Sequence, residues 1–481
     1  MTKENEMHIL TRRGTRWLPG RLALVAAGAL ALGACDLGVF DPGRIEDADI
    51  VDPAAVAPLV AGVEGEFAFA ATGQRPGGTF GAVSLITDEI VHSGQYVGMR
   101  SWSNGGFIPN DDGETTSRWS YASRARWMAE NAIDIITEVL EEEGGNPAAD
   151  QDIASVTLWA GFSNRLMGET FCGAVINGGG LEPTEAFFSR AEGYFTDAIS
   201  VASSVGNDSL VTAAHAGRAQ VRVMLGDWSG AVADAGQVPT DYVHEVRHSD
   251  NSSREYNGLH ELHLRDTQAS VWGTPFAEWG TIVNRDEVEP YRAQLDGLPD
   301  PEGDPRVPYT VPIEVVEGQA SYVEGGDQRR PNWEPYKYPA RETNTAVAKG
   351  TEMRLIEAEA ALLDGSVGDA VDLINEVRAH HGLGAVSAAT VDEGWALLMK
   401  ERGIELWLEG RRAADLRRWA ETPGSVPLEV VRLETGGGAP PSDDERRNVL
   451  EFLDQNGNVL PQGEGICLPV SANEINANPN L

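Results

Sequence analysis

The chain has 481 residues, with 37 Lys and Arg against 74 Asp and Glu and a formal charge of −37. Hydrophobic residues make up 41%, enough for a real core, and the length allows roughly two to four domains of about 100–200 residues, or one large one. So acidic a surface repels a phosphate backbone and anionic lipid, which excludes most nucleic-acid roles and docking through a basic patch.

In chain order the first element is a leader, not fold. Arg12, Arg13, Arg16 and Arg21 form a positive n-region ahead of the 13-residue apolar run Leu22–Ala34. That run is shorter than the roughly 20 residues a bilayer span needs and has the size of a secretory h-region. It ends in Leu32-Gly33-Ala34-Cys35, which resembles the lipobox of bacterial lipoproteins. The resemblance implies that residues 1–34 are a lipoprotein signal peptide, that the Cys35 sulfur is diacylated, and that the new amine is acylated after cleavage. The alternative is an ordinary signal peptide cut near Ala34. Removing residues 1–34 takes away five Lys/Arg and two Asp/Glu, leaving 32 against 72 and a net charge of −40. No later stretch reads as a membrane span, so the mature chain is expected to be tethered through its acyl chains, with residues 35–52 as an acidic tether.

Helical periodicity then sets in. Helices are predicted over Trp119–Glu143, stopped by Gly144-Gly145-Asn146-Pro147, over Asp152 to about Ala174, over Thr184–Ser203, over Asp208–Leu225 with Asp208 as N-cap, and from Asp227 through Ala235. Helices joined by short Gly/Asn/Pro breaks read as hairpins, and residues 183–238 resemble a tetratricopeptide unit. Residues 239–349 are rich in Pro, Gly, Asn and Trp with little periodicity, so they form a loop-rich insertion, with a strand expected over Thr310–Val316. A second helical block, about 350–420, holds Arg354–Leu363, Val367–His380 and Val391–Glu409, the last opened by a Thr390-x-x-Glu393 capping box. In the region 421–481, Val449–Leu453, Asn456-Gly457 and Val459-Leu460 read as a hairpin, and Ile466–Val470 as an edge strand. The fold class is therefore mostly α: tetratricopeptide-like helical hairpins forming a scaffold, irregular insertions and a few short β-hairpins. Cys172 and Cys467 are left either as a disulfide of an exported protein or as two separate buried thiols.

At residues 395–419, WALLMKERGIELWLEGRRAADLRRW, the chain resembles the C-terminal signature of the SusD/RagB family of outer-membrane nutrient-binding lipoproteins. The matching positions are Glu401-Arg402, Glu405-Leu406, Glu409-Gly410-Arg411, Asp415-Leu416 and Arg418-Trp419. Met353–Leu363, Ile374-Asn375-x-Val377-Arg378 and the tail from Leu468-Pro469-Val470 to Leu481 fit the same family, and Thr87-Asp88-Glu89, Trp102, Trp119, Tyr121 and Ala129-x-Asn131 fit it more loosely. The resemblance implies one SusD-like domain over 53–481, a SusC-type TonB-dependent transporter as partner, a glycan or peptide as ligand, and lipid anchoring at the surface of the outer membrane. Asp36-Leu37-Gly38 departs from the acidic cluster that goes with surface export in that family, so the outer placement rests on the C-terminal match.

Read physically, Glu401, Glu405 and Glu409 lie on one helical stripe, Gly410 ends the helix in a left-handed conformation, and Arg411, Arg412, Arg417 and Arg418 reach those carboxylates or the helix ends. A structural ion network that fixes two helices is expected there, in preference to an anion site or catalytic carboxylates. No nucleophile elbow, phosphate loop or dinucleotide fingerprint occurs, and no cofactor or metal is expected: His260-x-x-His263 lacks a third ligand, and Asp454–Asn458 lacks the downstream Glu of an EF-hand. Aromatics in polar loops offer flat faces for sugar C–H surfaces, which makes Tyr96, Trp102, Trp272, Trp279, Trp333 and Tyr336, with Phe107, the candidate ligand-binding residues. Each could instead plug a loop onto the core. The expected function is non-catalytic capture of a neutral glycan or oligosaccharide, or a peptide, with no nucleic acid involved. The rivals are a lipid-anchored glycoside hydrolase and a protein-binding helical-repeat scaffold.

Overall fold

The computed structural model describes residues 52–73, 77–103, 107–262, 267–300, 302–422 and 465–481, the strand segments 431–433 and 446–448, and residues 458 and 460. The leader, Cys35, the tether and the Asn456-Gly457 hairpin lie outside the described residues.

The main helices are α1 (Pro53–Ala68), α2 (Gly78–Ile86), α3 (Val97–Ser103), α4 (Gly113–Glu143), α5 (Gln151–Thr170), α6 (Glu185–Ser204), α7 (Asp208–Met224), α8 (Trp228–Ala235), α9 (Gly350–Leu363), α10 (Val367–His380), α11 (Val391–Glu405) and α12 (Arg412–Glu421). Each of α4 to α9 packs on the next, which gives a stacked array of helical hairpins. Sequence chemistry sets the ends. Asp112 caps α4 through Thr115 N–H, and Gly144, at φ 74°, ends it. Thr390 and Glu393 close the predicted capping box of α11. The cap of α7 is Asn207 rather than Asp208: the Asn207 side chain accepts from Leu210 N–H, and Asp208 supplies first-turn charge instead.

Small residues let the array close up. A Cβ added at Gly161 of α5 would meet the Phe195 ring at 2.6 Å, and one at Gly217 of α7 would meet it at 2.4 Å. Phe195 of α6 is thus clamped between two glycine faces, and only glycine fits on either side.

Two sequence expectations change here. Residues 53–86 do have the length and hydropathy of a membrane span. They are broken by the π-turn Phe69–Gly73, however, and α1 packs on α4 and α5, with Phe67 5.0 Å from Trp159. Helix α11 stops at Glu405, four residues early, because residues 406–410 turn back with Leu408 at φ 59° and Gly410 at φ 72°.

The insertion holds short strands. Residues 243–246 pair antiparallel with 345–349, and 91–92 with 269–270. A three-stranded sheet runs 334–335, 304–310, 280–282. The expected strand 310–316 is split: Asp304–Thr310 belongs to that sheet, and Ile313–Val316 forms a hairpin with Gln319–Tyr322 through a two-residue turn, Glu317-Gly318. Both turn residues have positive φ, at 51° and 81°, as the tightest hairpin requires. The expected edge strand 466–470 reduces to one bridge, Phe171 to Leu468. Next to it Cys172 and Cys467 form a disulfide that pins the tail to the end of α5.

Candidate functional site

The charged residues of α11, α12 and the turn between them form two ion clusters. In the first, Arg402 bridges Glu352 at 3.0 Å and Asp415 at 2.7 Å, and Arg411 bridges Glu352 at 3.1 Å and Glu169. Arg418 bridges Asp415 at 2.9 Å and Glu359 at 2.7 Å, and Trp419 Nε1–H donates to Glu359 at 2.8 Å. Burial alone would push the Asp415 carboxyl up, but Arg402 and Arg418 hold it at about 2. In the second cluster Glu401 meets Arg306 and Arg378, Glu405 meets Arg306, Lys349 and His381, and Glu409 meets Lys337 and Lys349.

The expected pairing is corrected in part. Arg411, Arg412 and Arg418 reach carboxylates outside the Glu401, Glu405 and Glu409 stripe, Arg417 donates to the carbonyls of Gly168 and Glu169 at the end of α5 as the helix-end alternative has it, and the Glu stripe is matched by cations from the insertion, from α10 and from His381 just after it. Because α11 ends at Glu405, Glu409 leaves the helical stripe and still meets two lysines.

The two ends of the chain interlock through the same turn. Arg412 grips Asp88 with two bonds, at 2.8 and 2.7 Å, and Leu408 N–H donates to Glu89 Oε1 at 2.7 Å. Burial pushes the Glu89 carboxyl up to about 7, against that backbone bond. A Cβ at Gly410 would meet the Phe80 ring at 2.3 Å, so close packing as well as φ demands glycine there.

Directly after this clamp the chain enters strand 91–92 and the loop 93–96. That loop is zipped to two others. Ser93 N–H donates to Gln268 O at 2.9 Å, Gln95 N–H to Gln268 Oε1 at 3.0 Å, Gln95 Nε2 to Gly326 O at 3.0 Å, and Asp327 N–H to Ser93 O at 2.8 Å. Tyr96 is presented at its tip, 41% exposed. The turn 324–331 leads into a cavity of about 250 Å³ lined by Gln294, Asp296, Tyr322, Glu324 and Arg329. Tyr322 is braced from below: its OH donates to Asp296 O at 2.8 Å and its ring meets Trp333 edge-on at 5.6 Å. Trp333 in turn stacks on Tyr309 at 6.0 Å. Burial pushes the Tyr322 phenol up, so it stays a neutral donor.

The predicted aromatics separate into three groups. Trp102, Trp272 and Trp333 are buried, so no ligand reaches their faces, and this corrects their assignment. Trp102 donates to Thr115 Oγ1 at 3.3 Å, and Trp333 acts as the brace of Tyr322. Trp279 and Tyr336 are half-buried along the three-stranded sheet. Trp279 lies 5.4 Å from the Lys400 ammonium, and Tyr336 N–H donates to Pro308 O. Tyr96 and Phe107 are exposed, and of the two Tyr96 has its loop tied to the turn that borders the cavity. Tyr322, Gln294, Asp296 and Arg329 were missed: the Tyr322 hairpin turns on Glu317-Gly318, without an Asn-Gly or Asp-Gly pair, and the other three lie outside that hairpin.

An aromatic edge beside amide, carboxylate, phenol and guanidinium groups suits a polyhydroxylated ligand. Asp296 and Glu324 are exposed and lack the apolar enclosure that a glycosidase general acid uses. A larger hollow of about 370 Å³ opens beside α6, α8 and α12, but its guanidinium groups, Arg417 and Arg418, are already engaged.

Hydrogen-bonded loops carried on a stacked-hairpin scaffold define a mostly helical fold class. Residues 327–481 match the sequence model of the SusD family. Solved structures share the fold over most of the chain. A SusD superfamily protein from Bacteroides vulgatus aligns at 15% identity over 89% of this chain and 98% of that one, with a TM-score of 0.59. A SusD-like carbohydrate-binding protein from Bacteroides fragilis aligns at 13% identity over 89% and 99%, with a TM-score of 0.60. A laminarin-binding SusD-like protein aligns at 17% over 76% and 91%, with a TM-score of 0.51. No curated protein sequence matches the chain significantly. Residues 327–481 thus carry the sequence pattern of the SusD family, and the fold is one shared with solved SusD-superfamily structures.

Proposed function

We propose that the protein captures a neutral glycan at the groove at Tyr322, with the Tyr96 loop tied to its bordering turn, does not cleave it, and hands it to a SusC-type TonB-dependent transporter. The observation that carries this reading is the cavity lined by Gln294, Asp296, the braced Tyr322, Glu324 and Arg329, whose bordering turn is hydrogen-bonded to the loop that carries the exposed Tyr96. The carbohydrate-binding and laminarin-binding structures with the same fold support it. The acidic balance favours neutral ligands over anionic ones. Lipidation at Cys35, cleavage after residue 34 and placement on the outer membrane complete the proposal. They rest on the lipobox-like sequence and the family.

The test is a neutral-glycan array probed with the mature chain, followed by analysis of any bound glycan for release of reducing ends. Retention of at least one glycan with no new reducing ends is expected. Release of reducing ends would establish the hydrolase instead, and silence across the array beside tight protein partners would establish the scaffold. Cys35→Ala is expected to release the protein from membranes, and continued retention would rule out the lipid anchor.

A further inference from the structure

We propose that a second saccharide site lies on α4, at a shallow groove of about 310 Å³ beside Trp127, and that it takes one unit of a neutral oligosaccharide. This rests on the glycan-binding reading above and places a distinct site on the helical scaffold.

Trp127 is 55% exposed, whereas every other tryptophan among the described residues is buried or half-buried. Trp127, Asn131 and Asp134 stand at i, i+4 and i+7, so they share one stripe of α4. A stripe built only for solubility carries charged or small side chains, not an indole with most of its ring in water. The facing wall comes from Asn177, held at φ 50°, and from Arg190 and Tyr194 of α6.

The charges inside the groove cancel. Glu130 is held by Arg126 at 2.7 Å and by Arg190 at 2.8 Å, and it also accepts from Asn164 at 2.8 Å. Asp134 offsets the remaining positive charge. The Glu130 carboxylate is therefore fully engaged and unsuited to catalysis, and an ionic ligand meets no unmatched counter-charge. What stays available is hydrogen-bonding capacity beside an aromatic face, since the Asn131 amide lines the same groove as the indole. An indole rim with an amide beside it matches the C–H face and hydroxyls of a pyranose.

The experiment is calorimetric titration of the mature chain with maltohexaose, laminarihexaose and xylohexaose in turn, in wild type, Tyr96→Ala, Trp127→Ala and the double variant. The expected result is two sites for the hexasaccharide that binds. Tyr96→Ala removes one site, Trp127→Ala weakens the other at least about tenfold, and Trp127→Phe restores part of that loss. Because Trp127 is exposed, its variants are expected to fold, which circular dichroism checks. One site that Tyr96→Ala abolishes and Trp127→Ala leaves unchanged would overturn the second site and leave the loop site standing. No heat with any hexasaccharide in wild type would overturn both.

Discussion

The clamp between residues 88–89 and 408–412 and the groove at Tyr322, with the Tyr96 loop tied to its bordering turn, use overlapping chemistry to opposite ends. At the clamp, carboxylates and guanidiniums are buried, and each carboxylate of Asp88, Glu401, Glu405, Glu409 and Asp415 meets at least one cation. At the groove, Asp296, Glu324 and Arg329 are exposed beside aromatic edges. A buried pair that loses a partner leaves an uncompensated charge, so the clamp is expected to be sensitive to substitution but chemically inert. The groove is expected to tolerate substitution and to be where ligand is met. The two are adjacent in the chain, since loop 93–96 begins four residues after Glu89.

Substitutions sharpen that contrast. Asp88→Ala strands the buried Arg412 and is expected to cost about 3–5 kcal/mol in denaturant unfolding. A loss below about 1 kcal/mol would mean that the clamp is not a structural keystone. Cys172→Ser opens a crosslink spanning 295 residues and is expected to cost about 2–4 kcal/mol, with the same loss on adding reductant to wild type. Glu89 gives a pH effect. Its folded pKa of about 7 lies above its ordinary 4.5, so the folded state holds the proton more tightly and loses stability as pH rises from about 4.5 to about 7. Relative to wild type, Glu89→Gln is therefore expected to gain stability across that window and to hold a constant difference above it. A pH-independent difference would contradict the assignment. At the groove, Tyr96→Ala is expected to change stability by no more than about 0.5 kcal/mol.

The helices were legible because burial follows the 3.6-residue period and the caps are local: Gly144 and the Thr390–Glu393 box act within a few residues. The signature at 401–419 was legible as an ion network, but its partners were not. Asp88 lies 324 residues from Arg412 and Glu169 lies 242 from Arg411, distances no local pattern encodes. The groove was legible in kind more than in detail. A Trp flanked by Asn and Gly reads alike whether it plugs the core, as Trp272 and Trp333 do, or faces solvent. Tyr322 was hidden because its hairpin turns on Glu317-Gly318, without the Asn-Gly or Asp-Gly pair that marks such turns.

The central claim is that ligand is held at the groove and not at the ion clusters. Calorimetric titration of the mature chain with a glycan that the array identifies, in wild type and Tyr96→Ala with matched unfolding curves, tests it most directly. The account predicts at least a tenfold loss of affinity at the loop site, about 1.4 kcal/mol, with unfolding unchanged. Unaltered affinity at every site in Tyr96→Ala would contradict it.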